Sequence, residues 1–217
     1  MDELRYQRCE LLFGDDYPKL RKAKILLLGV GGVGSYTLDC LWRSGITDIT
    51  IVDYDSYEIT NQNRQIGSDA LGELKVEHLG KLYPGITTIQ RRIDVKWVED
   101  FDFSSYDVVL DAVDDFKAKI ALALKVHEKL ISSTGSAKRV DTSMMQVAPI
   151  FETHGDKFAY KIRNALRRAK FEGSYTALFT PEAPRCLEKG SFVAVTGAFG
   201  LALCSEAVKK ILNETSS

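Results

Sequence analysis

No two of the four cysteines, Cys9, Cys40, Cys186 and Cys204, form a C-x-x-C pair. A four-cysteine zinc site built from such pairs is therefore excluded. Long apolar runs are missing too. The longest candidate, "FVAVTGAFGLALC", is rich in small residues and falls short of the roughly 18 residues of a membrane span. The N-terminal stretch "MDELRYQRCELLF" mixes charges and lacks the apolar core of a signal peptide. A soluble, cytoplasmic chain with reduced thiols is the expectation. A formal net charge of −1 gives no general attraction to nucleic acid, so any such attraction must come from a local patch. No repeat or low-complexity segment is found, and only the end, "NETSS", is expected to fray.

What is there suits one domain: 217 residues, 45% of them hydrophobic. "AKILLLGV" (Ala23 to Val30) is a near-continuous apolar run, the habit of a strand buried on both faces of a parallel sheet. Val33 to Gly45 carries apolar residues at helical spacing and stops at glycine. "DITIVDYD", a segment from Thr88 to Ile93, "YDVVLDAVD" and "LISSTGS" read as further strands. Helices near Leu74 to Leu82 and Lys117 to Lys129 lie between them. This alternation predicts an α/β fold, a doubly wound, Rossmann-like, mostly parallel sheet with a C-terminal elaboration. Beyond it, "MMQVAPIFET" reads as an added strand, Asp156 to Lys170 as a helix, and Val193 to Leu212 as the last helix. "GSYTALFTPEAPRCLEKGS", with two prolines, reads as a mobile loop. The expected division is a helical arm over 1–22, a core over 23–135, and a substrate-side and dimer elaboration over 136–217.

"GVGGVGS" places Gly29, Gly31 and Gly34 in the spacing G-x-G-x-x-G, with Gly32 extra, between a strand and a helix. Glycines there let the backbone approach a phosphate at a helix N-terminus. Asp53 ends the next strand, where a carboxylate accepts ribose hydroxyl protons. These features alone would also suit a nicotinamide dinucleotide. A triphosphate carries more charge and calls for added cations and a metal. Arg64, Lys75 and Asp114 are candidates for that demand, with Asn61 and Gln65 for ribose and phosphate oxygens, so ATP is favoured.

"GVGGVGS", "DYDSYEITNQNRQ", "LKVEHL" and "DAVDD" resemble the ThiF/MoeB group of the ubiquitin-activating superfamily, which adenylates carboxylates. The similarity spans most of the chain. It implies that Asp53, with Asp55 in the same D-x-D pattern, serves the ATP ribose side, and that Asn61, Arg64 and Lys75 grip the triphosphate. It further implies that Asp114 holds Mg2+ and that Arg8, in "LRYQRC", reaches into the partner's site of a homodimer. Sulfur-carrier activators of this group normally bear zinc cysteine pairs, which this chain lacks. "DAVDDFKAKIAL", "STGSAKRVDTSMMQV", "FTPEA" and "VTGAFGLALCSEAVKK" are instead similar to its tRNA-modifying dehydratase branch. That branch closes a threonylcarbamoyl side chain on a tRNA adenosine into a ring. The branch pattern departs at Lys138 and Arg139, where small residues are expected, and at Ala177, where cysteine is common.

The helix from Asp156 to Lys170 holds six basic residues against one acid. Arg163, Arg167 and Arg168, with Lys138 and Arg139, are candidate contacts to tRNA phosphates. Tyr160 and Phe171 could stack a base, although core packing is the commoner role. Cys186 is read as an incidental loop thiol; the other cysteines are read as small core residues. An activator of a ubiquitin-like sulfur carrier and a non-catalytic nucleotide binder stay open as alternatives, as does docking of a sulfur-relay protein.

Overall fold

The computed structural model describes residues 2–188 and 190–213; the frayed end expected over "NETSS" lies, apart from Asn213, outside them. Among the described residues runs a sheet of seven strands, ordered β3-β2-β1-β4-β5-β7-β6. The strands are β1 (Ile25–Leu28), β2 (Ile49–Asp53), β3 (Thr87–Gln90), β4 (Val108–Asp111), β5 (Leu130–Ser133), β6 (Gln146–Pro149) and β7 (Thr176–Phe179). The pairings from β3 to β7 are parallel, and β6 joins β7 antiparallel at one edge. The helices are α1 (Asp2–Arg5), α2 (Gln7–Phe13), α3 (Tyr17–Lys22), α4 (Gly34–Arg43) and α5 (Lys75–Leu82). They continue with α6 (Val95–Asp100), α7 (Phe116–Val126), α8 (Lys157–Arg168) and α9 (Val193–Leu212).

Every residue of β1, β2, β4 and β5 is buried, as parallel strands covered on both faces must be. Side chains alternate across the sheet. Ile25 and Leu27 join α4 and α9 residues such as Leu38, Leu41, Phe199 and Leu203 on one face. Leu26 and Leu28 join Leu122 of α7 and Ile162 and Leu166 of α8 on the other. The small residues of "TGAFG" let α9 approach α4. Thr37 Oγ1 donates to the Gly200 carbonyl at 3.0 Å, and a Cβ on Gly200 would lie 2.4 Å from the Val33 carbonyl oxygen.

Three local expectations change. The segment read as a mobile loop contains β7, whose Ala177, Leu178 and Phe179 are buried between β5 and β6. Its prolines come after the strand, not within it. Helix α6 was not anticipated; Asp94 caps it by accepting the Trp97 N–H at 2.9 Å. The helix expected over Asp156 to Lys170 stops at Arg168, and Ala169 is exposed beyond its end.

Candidate active site

The strand order reverses between β1 and β4, and crevices at the carboxyl ends of such strands bind ligands in doubly wound sheets. A cleft of about 340 Å3 lies there, lined by Gly29, Gly31, Gly32, Asp53, Asp55, Asn61, Arg64, Gln65, Lys75 and Asp114 among others. The turn from β1 into α4 needs glycine twice over. Gly29 has φ +83°, and a Cβ on Gly34 would fall 1.9 Å from the Gly29 carbonyl oxygen. Only a bare backbone folds so tightly, and it brings Gly29, Gly31, Gly32 and Val33, just before α4, to the cleft.

Asp53 is buried and already held. Its Oδ2 accepts the Val30 N–H at 2.8 Å and its Oδ1 the Asp55 N–H at 2.9 Å, which leaves further lone pairs for a ligand's hydroxyls. Lys75 is buried at the start of α5, its Nζ 3.1 Å from Asp55 Oδ2. An ammonium has three donors, so this ion pair orients it without exhausting it. Arg64 is held through Nη1, which donates to the Thr60 carbonyl at 2.7 Å and Asn63 Oδ1 at 2.9 Å. Asn61 Oδ1 accepts the Glu58 N–H at 3.1 Å. Gln65 Oε1 is buried with no hydrogen-bond partner. A buried orphan acceptor in a cleft wall marks the place for a donor from a ligand.

Beneath the cleft floor lies a network that sequence reading missed. Lys119, on α7, is fully buried and donates to Asp111 Oδ2 at 2.8 Å, to Ser132 Oγ at 3.3 Å and to the Ser133 carbonyl at 2.6 Å. Asp111 Oδ1 accepts the Val113 N–H at 3.1 Å. It thereby shapes the turn that presents Ala112 to Asp115 to the cleft. Tyr54, Arg92, Ser136, Ser191 and Thr196 also line the cleft and were not anticipated. The signal for Arg92 was its position just beyond the carboxyl end of β3. Its guanidinium lies 5.6 Å from the Tyr54 ring centroid.

Other candidates are placed elsewhere. Arg8 is exposed on α2 and is not part of this chain's cleft. Lys138 and Arg139 do not form a solvent-facing cluster: Lys138 Nζ donates to the Leu187 carbonyl and Arg139 is buried. On α8, Arg163 donates to Thr153 Oγ1, and burial with neighbouring Arg167 pulls its pKa below the usual guanidinium value. Arg167 lies over the Phe151 ring at 5.5 Å, and Arg168 is exposed. Tyr160 is exposed, against the core role considered for it, whereas Phe171 packs on His127 and Phe151. Cys186 is exposed, its Sγ 3.2 Å from the Glu188 carbonyl oxygen. Cys204 is buried beside half-buried Cys40; the shared S–H contact lowers the Cys40 pKa and raises that of Cys204, with burial adding to the rise.

A doubly wound sheet, a glycine turn, an acid ending β2 and two anchored cations define a nucleotide-binding enzyme domain. The chain belongs to the ThiF family, which it matches over residues 5–217. It is 33% identical over 193 residues to the tRNA threonylcarbamoyladenosine dehydratase of Bacillus subtilis, covering 83% of this chain and 76% of that one. To the Haemophilus influenzae dehydratase it is 29% identical, over 93% of this chain and 90% of that one. The crystal structure of the Escherichia coli dehydratase TcdA with ATP superposes with a TM-score of 0.90 at 28% identity. That alignment covers 98% of this chain and 95% of that one. Among the described residues no helix is long and apolar enough to cross a membrane.

Proposed function

We propose that this chain is an ATP-dependent tRNA threonylcarbamoyladenosine dehydratase. It activates the threonyl carboxylate of the modified adenosine and lets the side chain close into a ring with net loss of water. One observation carries the reading. A single cleft gathers Asp53, Arg64, Lys75 and Asp114 around the glycine turn, in a chain alike along nearly its whole length to an ATP-bound enzyme of that activity.

A free carboxylate is a poor acyl donor because its leaving group would be oxide; ATP supplies an adenylyl group that makes AMP the leaving group instead. The residues of the cleft fit that partner. N–H groups of the glycine turn and of α4 meet phosphate oxygens. Asp53 takes the ribose hydroxyls, and Gln65 Oε1, with Asn61, takes a further donor of the nucleotide. Arg64 and Lys75 are fixed cations where charge develops, and such preorganised cations lower the barrier. Among the described residues no cluster of three or more His, Cys, Asp and Glu stands ready for a metal. Mg2+ leans on one or two carboxylates plus substrate phosphates, and Asp114 is the carboxylate assigned to it. Ring closure by the carbamoyl nitrogen is intramolecular, so proximity replaces a protein nucleophile. Cys186 is therefore not required. Arg8 is assigned to the partner's site in a homodimer, and the exposed Leu4, Leu11 and Leu12 of the same N-terminal arm supply apolar surface for that contact. Free thiols and a nucleic-acid substrate suit the cytoplasm.

Incubation with ATP, Mg2+ and threonylcarbamoyl-modified tRNA, followed by nucleoside mass analysis, tests the reading. Loss of one water per modified adenosine is expected. An unchanged nucleoside, with pyrophosphate exchange stimulated by a ubiquitin-like carrier instead, would refute it.

Helix α8 is assigned to the tRNA backbone. Lys157, Lys161, Arg168 and Lys170 are exposed and make no ion pair among the described residues, whereas Lys19, Arg43, Lys81 and Lys96 elsewhere all do. The N-terminus of α8 adjoins the site: its cap, Asp156, accepts from Thr134 Oγ1 at 2.9 Å, two residues before cleft-lining Ser136. Charge reversal of Arg167 and Arg168 together is expected to weaken tRNA binding about tenfold or more. It should also flatten the salt dependence by roughly 0.7–0.9 in log–log slope per phosphate contact removed. ATP affinity should not change; titration at several salt concentrations reads both.

A further inference from the structure

Helix α7 is apolar on two sides, and the core uses only one of them. Ala118, Leu122, Ala123 and Val126 are buried with Leu26 and Leu28 of β1. Phe116, Ile120 and Leu124, spaced four apart along another face, line a groove of about 450 Å3. Val95 and Val98 of α6 and Ala165 of α8 line it with them. A surface helix ordinarily turns polar residues outward, yet Leu124 and Val95 are exposed and Phe116 and Ile120 only half-buried. A contiguous apolar patch left open in this way marks a binding surface. The groove is a built feature: Lys125 Nζ donates to the Val98 carbonyl at 2.8 Å and the Phe101 carbonyl at 3.0 Å, tying the end of α6 to α7.

Two observations say what covers it. The first is continuity with the cleft. Ile93 and Asp115 line the cleft, while Val95 and Phe116 line the groove. Two separate stretches of chain therefore pass from one to the other within one or two residues, about 4–7 Å of backbone. A polymer with one unit in the cleft lays a neighbouring unit at the near end of the groove. The second is charge. Lys161 and Arg168 stand four residues before and three after Ala165, so they share its face of α8. Lys117 follows Phe116 on α7. All three are exposed and make no ion pair among the described residues. Glu99 is the one acid lining the groove. An apolar floor flanked by free cations matches a flat apolar group carried on an anionic backbone.

We propose that this groove takes the unstacked nucleobase of a nucleotide next to the modified adenosine in tRNA. The base lies against Phe116, Ile120 and Val95, and its flanking phosphates meet Lys117 and Lys161. Single-stranded RNA is commonly held in this way, its bases splayed out onto aromatic and apolar side chains. The proposal rests on the dehydratase reading and deepens it. Charges on α8 attract an RNA without fixing its register, whereas a base seated beside the cleft fixes which adenosine enters.

The test uses the full-length protein, a non-hydrolysable ATP analogue and threonylcarbamoyl-modified tRNA stem–loops. In two of these RNAs the nucleotide on one side or the other of the modified adenosine lacks its base but keeps its phosphate. The wild type is expected to bind one abasic RNA about tenfold or more weakly than the intact one. Ile120→Gln should bind the intact RNA as weakly as that abasic one and should not tell the two apart, with unchanged affinity for the ATP analogue. Val95→Gln, at an exposed position, repeats the comparison where folding is not at stake. Both substitutions are neutral, so attraction to phosphate is untouched. A wild type that binds both abasic RNAs like the intact one overturns the proposal, as do variants that still lose tenfold when the base is removed. Variants with unchanged RNA binding that no longer self-associate in sedimentation also overturn it, by assigning the groove to a second copy. A wild type that dehydrates the intact stem–loop but ignores the missing base sinks this proposal alone. One that dehydrates no modified RNA sinks the dehydratase reading with it.

Discussion

Asp114→Asn is expected to lower the rate of tRNA dehydration by about 10²–10³ or more while leaving the melting temperature within about 2 °C of the wild type. The side chain projects just past β4 into the cleft and is exposed. Losing one exposed charge uncovers nothing buried, and such surface changes shift stability by no more than about 0.5 kcal/mol. Asparagine keeps the shape and an acceptor oxygen but not the charge. What disappears is the anionic ligand assigned to Mg2+, and with it the charge balance around the phosphates. A single group aimed at developing charge is worth about that factor in rate. Single-turnover kinetics with modified tRNA, beside thermal melting, separates the two effects. An Asp114→Asn enzyme that turns over normally would remove the metal role from this residue.

The glycine turn, Asp53, Asn61, Arg64, Gln65 and Lys75 were legible because each sits in a short local pattern. A strand runs into a glycine turn, a helix follows, and an acid ends the next strand. The cleft they form needed no long-range knowledge beyond the rule that parallel strands open their ligand sites at their carboxyl ends. β7 was not legible. "TALF" is short and followed by prolines, and it becomes a buried strand only because β5 and β6 pair with it from far along the chain. Ser136, Ser191 and Thr196 meet at the cleft for the same topological reason. Charge in a sequence also says nothing of its burial. Lys138 and Arg139 look alike as letters, yet one ties down a loop and the other is buried, its Nε without a hydrogen-bond partner among the described residues. Arg8 differs again: its assigned role lies across an interface between two copies, which no pattern within one chain can position.

Lys119→Met is the substitution expected to cost most in stability, about 3–5 kcal/mol. The letters "DFKAKIAL" invite the reading that both lysines face water. Lys117 does, but Lys119 is 1% exposed and ends on Asp111, which is wholly buried. Methionine matches the length of the aliphatic stem, so little volume is lost. The cost arises because Asp111 keeps its charge without the ammonium, in a place water does not reach. Ser132 Oγ still donates to Asp111 at 2.6 Å, and one neutral donor does not replace a cation. The damage should extend beyond stability. Asp111 holds the Val113 N–H, and the turn it shapes carries Asp114. ATP affinity should therefore fall in Lys119→Met even under conditions where the variant is fully folded. The double variant Asp111→Asn, Lys119→Met discriminates between causes. Removing both charges should return much of the lost stability, since a buried pair as a whole contributes far less than the breaking of it takes away. Denaturant melts of the wild type and these two variants measure this directly. A double variant no more stable than Lys119→Met would show that the amine's bonds to Ser132 and Ser133, and not the charge on Asp111, hold the cleft floor in place.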